Sequence, residues 1–189
     1  KMTTLSMDDI LNATKETIYL DGNTLDVDSL VLLSSGKYNI NLTDESWKKV
    51  KAGRQVVDNI VESGEVAYGI NTGFGLFSKV VVSKEQLHDL QVNLILSHSS
   101  GVGEPLSRPR TRMLLALRTN VLAKGHSGIS VQSLKQVIAA FNKDCLSVVP
   151  SKGTVGASGD LAPLSHLALG LMGVGDMWYP GNAGTENDS

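Results

Sequence analysis

Hydrophobic positions recur at helical spacing along most of this chain, in blocks separated by glycine. Val27, Leu30, Val31 and Leu33 form the first block, with Asp26 placed to cap a short helix and Gly36 to end it. Trp47, Val50, Val57, Ile60 and Val61 form a longer block, opened by the cap signal Thr43-Asp44-Glu45 and stopped by Gly64. Leu87, Leu90, Leu94 and Ile95 predict a helix from Ser83 that ends before Ser97. Met113, Leu114, Leu117 and Val121 predict another, closed by Gly125, after a turn bracketed by Pro105 and Pro109. The cleanest amphipathic run is Val131, Leu134, Val137, Ile138 and Phe141, capped by Ser130. A last helix, from about Asp160 to Gly173, is apolar almost all round, which predicts deep burial.

Between the blocks the pattern is shorter or absent. Ile18, Leu20 and Leu25 flank Asp21-Gly22-Asn23, which predicts a small hairpin. Ile40 and Leu42 alternate with polar residues as in a short strand, and Val148-Val149-Pro150 reads as extended. After Trp178 the composition turns to Pro, Gly, Asn, Glu, Asp and Ser, a polar loop or frayed tail over 179–189. The expected class is therefore mainly α with a few short strands, in one domain over 1–178.

Composition narrows the function. The 41% hydrophobic content is enough for a real core, and 5% aromatics makes that core aliphatic. A net charge of −2 with no basic block argues against nucleic acid or an anionic membrane as partner. Arg108, Arg110, Arg112 and Arg118 read as a solvated helix face. The single cysteine, Cys145, excludes an intrachain disulfide and favours a cytoplasmic setting. No apolar run approaches the roughly 20 residues of a membrane span.

Three glycine-rich loops each present a side chain with useful chemistry: Tyr68 in Tyr68–Gly75, His98 in Ser97–Gly103, and Ser158 in Gly153–Asp160. One such loop is an ordinary turn; three together point to an active site. Gly153, Gly156 and Gly159 precede a helix as a phosphate loop would, but no Lys-Ser or Lys-Thr follows. Ser158 with His98 or His166 and Asp160 would make a hydrolytic triad, yet the Gly-x-Ser-x-Gly elbow is missing. His88, His98, His126 and His166 lack metal-ligand spacing, so no metal is expected.

The string Gly153-Thr154-Val155-Gly156-Ala157-Ser158-Gly159-Asp160-Leu161-Ala162-Pro163-Leu164-Ser165-His166 resembles the signature of the aromatic amino-acid ammonia-lyases. The Tyr68–Gly75 and Ser97–Gly103 loops match in the same order. Within that family the resemblance is to the histidine ammonia-lyases, from about Asp26 to about Trp178, and it covers their N-terminal portion only. It implies the fumarase/aspartase-like helical fold, with this chain as the domain that bears the cofactor. That cofactor is 4-methylidene-imidazol-5-one (MIO), self-derived from Ala157, Ser158 and Gly159 when the Gly159 nitrogen attacks the Ala157 carbonyl carbon and water is lost.

The same resemblance implies Tyr68 as catalytic base on a lid, Asp160 as an aid to proton movement, and His98 as the contact for the substrate ring. It implies L-histidine as substrate, trans-urocanate and ammonia as products, and a homotetramer with active sites shared between subunits. Later family residues of the active site (a tyrosine, an asparagine, an arginine, a phenylalanine and a glutamate) have no counterpart in these 189 residues. The 189-residue chain alone is therefore expected to be inactive. Tyrosine or phenylalanine ammonia-lyase, an aminomutase, and a non-catalytic assembly domain are the alternatives.

Overall fold

The computed structural model describes residues 15–73, 79–83, 86–157 and 159–178. The tail at 179–189 lies outside them. Six helices and four short strands are present among the described residues. Among the described residues the order begins with β1 (Glu16–Leu20), α1 (Val27–Ser34) and β2 (Tyr38–Leu42), and β1 pairs with β2 in parallel, Glu16 opposite Tyr38 and Leu20 opposite Leu42.

The expected hairpin at Asp21-Gly22-Asn23 is therefore wrong. Asp21 Oδ1 accepts from the N–H groups of Asn23 and Thr24, both at 2.8 Å, and Gly22 N–H donates to Asn120 Oδ1 at 2.9 Å. Those bonds turn the chain away from β1 and into α1. A parallel pair needs such a crossover, and α1 is it.

The cap signals hold. The side chains of Asp26, Thr43 and Ser130 accept from the N–H groups of Ser29, Ser46 and Ser133, opening α1, α2 (Asp44–Ser63) and, after α3 (Leu87–His98) and α4 (Arg108–Leu122), α5 (Val131–Asn142). Gly64 closes α2 with a left-handed φ of 72°. The predicted helix from Ser83 begins later, as α3 (Leu87–His98), and runs one turn's fraction further, through His98. Its Leu87, Leu90, Leu94 and Ile95 are all half-buried, as their spacing predicts. Then come β3 (Val102–Pro105), α4 (Arg108–Leu122), β4 (Pro150–Lys152), antiparallel to β3, and α6 (Leu161–Leu171).

The aliphatic core joins Leu20, Ile40 and Leu42 of the strand pair to Leu33, Leu115, Leu134 and Phe141 of the helices and to Leu146 and Val149. Helix α6 departs from expectation: only Ala162, Leu167 and Gly170 are buried, and Leu161 is 51% exposed. No helix among the described residues is long and apolar enough to cross a membrane.

The arginines of α4 are not a uniform solvated face. Arg112 is 2% exposed. Its guanidinium donates to the carbonyls of Leu33, Tyr38 and Phe141 and to Asp144 Oδ1 at 2.8 Å, and it lies 4.0 Å from the Phe141 ring centroid. Arg108 binds the other carboxylate oxygen of Asp144. Burial pulls the Arg112 guanidinium below its ordinary range, and the Asp144 carboxylate opposes that pull. The group thus links the C-terminus of α1, the start of β2 and the C-terminus of α5 through one side chain.

Arg112→Ala takes one of its two arginine partners from Asp144 and leaves three carbonyls without their donor, so urea unfolding should show a loss of about 3–5 kcal/mol. The exposed Glu45–Lys49 pair makes the control, since breaking it should leave the unfolding midpoint unmoved.

Candidate functional site

The loop from Gly153 to Asp160 is organised by one hydroxyl. Thr154 Oγ1 accepts from Gly156 N–H at 3.1 Å, and lies 3.3 Å from Gly159 O and 3.2 Å from Asp160 Oδ1. It has one proton, so it donates to one of those two oxygens at a time. Gly156 and Gly159 take φ of 73° and 106°, which side chains resist. Asp160 occupies the N-cap position of α6, but its side chain makes no capping bond. Its carboxylate turns to Thr154 instead. The first-turn N–H groups of α6 therefore keep their partial positive charge at the cleft wall formed by Leu161 and Ala162. Ser158 lies outside the described residues.

His98 is the last residue of α3 and is half-buried. Its Nδ1 lies 2.8 Å from Leu94 O and 3.0 Å from Ser97 Oγ. A carbonyl only accepts, so Nδ1 carries the hydrogen, and in the neutral form of the ring Nε2 is then the acceptor. Beyond His98 the chain passes Gly101, whose N–H donates to His166 Nε2 on α6 at 3.0 Å. Three segments meet tightly there. A Cβ on Gly153 would stand 3.0 Å from both Ala162 Cβ and Gly101 Cα.

This packing brings two of the three sequence loops together. Ser97, His98 and Ser100 form one wall of a cleft of about 290 Å³; Thr154, Ala157, Gly159 and Ala162 belong to the other. A larger groove of about 800 Å³ between α4, α5 and α6 has mainly apolar walls and includes none of the predicted site residues.

The third loop stands apart. Among the described residues lining the cleft, neither Tyr68 nor Asp160 appears. Tyr68 is 65% exposed on a turn whose base is fixed. Buried Asn71 accepts from Ala67 N–H at 2.9 Å and donates to Glu65 O at 2.8 Å. Thr72 Oγ1 accepts from Gly69 N–H and donates to Gly73 O. Residues 74–78 of that loop lie outside the described residues. Asn71, Thr72 and Thr154 do not stand out from the sequence as site-shaping residues, and His166 does so only as a candidate for a hydrolytic triad or a metal ligand. The available signal was local: Asn and Thr beside glycine commonly tie down backbone N–H groups.

A sequence model of the family described as aromatic amino acid lyase matches residues 25–187. The chain is 63% identical to histidine ammonia-lyase of Mus musculus over 163 residues, covering 86% of this chain and 25% of that protein. It is similar in structure to histidine ammonia-lyase from Trypanosoma cruzi, with a TM-score of 0.75 and 47% identity over 81% of this chain and 29% of that one. It is also similar to tyrosine aminomutase from Streptomyces globisporus, with a TM-score of 0.81 and 33% identity over 88% of this chain and 31% of that one. The chain thus spans about a quarter of the length of its mammalian relatives.

Asn71→Ala removes both ties at the base of the Tyr68 turn. Backbone exchange over 67–73 should accelerate by roughly tenfold or more, the equivalent of about 1–3 kcal/mol of lost local stability, while exchange in α5 stays unchanged.

Proposed function

The chain belongs to the aromatic amino acid lyase family, and from that premise we propose that the protein carrying it eliminates ammonia from L-histidine to give trans-urocanate. The single observation that supports this reading most is the shared cleft, with His98 on one wall and Ala157 and Gly159 on the other. The likeness to histidine ammonia-lyases supports the choice of substrate. The proposal extends to a homotetramer as the active assembly and to a cytoplasmic setting. The activity belongs to the longer protein, and the 189 residues alone give no urocanate.

The residues present fit the MIO group. Gly159 has a φ that favours glycine, and a Cβ there would meet nothing within 4 Å, so no neighbouring group crowds its backbone on that side. Ala157, Ser158 and Gly159 would form MIO, whose electrophilic methylene activates the substrate for loss of its amine.

The remaining roles fall to the chain's own side chains. The substrate imidazole N–H donates to His98 Nε2, an acceptor by virtue of the Nδ1 bond to Leu94 O. That contact discriminates, because a phenyl ring would leave the acceptor unpaired. Tyr68, which is not among the described residues lining the cleft, takes the β-proton onto its oxygen once its loop closes over the substrate. The Cα–N bond breaks, ammonia departs, and the Cα–Cβ double bond of urocanate forms. The uncapped end of α6 favours negative charge in the cleft. Asp160, whose carboxylate accepts from the Thr154 hydroxyl at 3.2 Å, assists proton movement beside the loop.

A second reading, a MIO-type aminomutase, draws on the likeness to tyrosine aminomutase. Its product would be a β-amino acid rather than urocanate, so one chromatographic assay separates the two. The full-length protein mixed with L-histidine should develop urocanate absorbance, and Ser158→Ala should abolish it. Full activity in Ser158→Ala refutes the proposal. His98→Leu should lower kcat/KM for L-histidine by roughly 10²-fold, through loss of the ring contact.

A further inference from the structure

We propose that His166 is a positioning residue, which sets the gap between the two walls of the cleft by holding the backbone of the His98 segment. The inference rests on the reading of His98 as the contact for the substrate ring. His98 and Ser100 lie on one wall, and the chain continues from them to Gly101 within three residues. Ser100 N–H donates to His98 O at 2.8 Å, so this short path is itself folded into a tight turn. Gly101 N–H then donates to His166 Nε2 at 3.0 Å, across 65 residues of sequence.

His166 stands on α6, the helix that follows the loop bearing Ala157 and Gly159. One hydrogen bond therefore ties the segment that continues from the His98 wall to the helix that continues from the other wall. His166 is not among the described residues that line the cleft, so it acts through Gly101 and not on the substrate.

The packing explains why a backbone N–H is the handle. A Cβ on Gly101 would stand 3.1 Å from the Nε2 and Cδ2 atoms of His166 and 3.2 Å from Pro150 Cβ. With no side chain at 101, the imidazole approaches the backbone closely. The bond requires an acceptor at Nε2, and thus a neutral ring with its hydrogen on Nδ1. Losing the acceptor removes this tie between the Gly101 backbone and α6 and loosens the segment that carries His98.

The test uses the full-length protein with His166→Leu, which removes the acceptor, and His166→Gln, whose side-chain oxygen replaces it. Steady-state kinetics with L-histidine are read beside hydrogen–deuterium exchange of the peptide containing Gly101. In His166→Leu, KM should rise roughly tenfold while kcat changes less than about threefold, and exchange at Gly101 should accelerate by a similar factor. His166→Gln should bring both readouts back to within about threefold of the unsubstituted protein. A merely structural role would lower the active fraction, and so kcat, with KM unmoved. Unchanged KM in His166→Leu, or failure of His166→Gln to restore it, overturns the proposal.

Should His166→Leu not fold, His166→Gln decides: near-normal KM and exchange support the proposal, and a tenfold rise in either refutes it. If the unsubstituted protein does not turn over L-histidine, the histidine reading fails by itself. The exchange comparison then decides whether His166 holds Gly101.

Discussion

A single half-buried carboxylate organises the structure. Asp144 follows α5 with a φ of 57°, and its two oxygens take Arg108 and Arg112 from the first turns of α4. Arg112 has no other way to be buried: its remaining donors must find carbonyls, and they find Leu33, Tyr38 and Phe141. Satisfying one guanidinium therefore fixes α1, β2 and α5 around α4. The parallel β1–α1–β2 unit is locked onto the helices by this network and by Asn142, which exchanges two bonds with the backbone of Ile40.

From that frame the cleft follows by short steps. Leu106 N–H donates to Val149 O just before α4 begins, and β3 pairs with β4 alongside it. β3 is continuous with the Ser97–Gly101 turn, and β4 is continuous with the glycine loop. The β3–β4 pairing thus delivers both walls to one place. Gly101 and Gly153 then let the backbones approach to contact, and Ser147 Oγ–H, bonded to Leu167 O at 2.7 Å, seats α6 against the strand segment. The chemistry proposed for this cleft depends on backbone geometry more than on charged side chains, which is why glycines and hydroxyls dominate it.

Local features were legible in the sequence because their physics is local. The caps at Asp26, Thr43 and Ser130 each bond an N–H three residues on, and Gly64 ends a helix by its own backbone freedom. Features set by distant partners were not legible. Asp21-Gly22-Asn23 has hairpin composition, but the better partner for Ile18 is Ile40, reached only through α1. Arg112 looks solvated on its helix until three remote carbonyls surround it. Helix α6 is apolar all round, yet its exposed Leu161 shows that composition states a preference for burial and not the presence of a covering element.

The site divides in the same way. The loops were found from their glycines, and the resemblance assigned their roles, but that His98 and Ala157 share a cleft became visible only in three dimensions. The central claim is that the backbone of Ala157-Ser158-Gly159 is itself the reagent. Tandem mass spectrometry of the peptide spanning these residues, from purified full-length protein, tests it most directly. The account predicts a tripeptide lighter by two water molecules; a linear Ala-Ser-Gly of unaltered mass in active protein would contradict it.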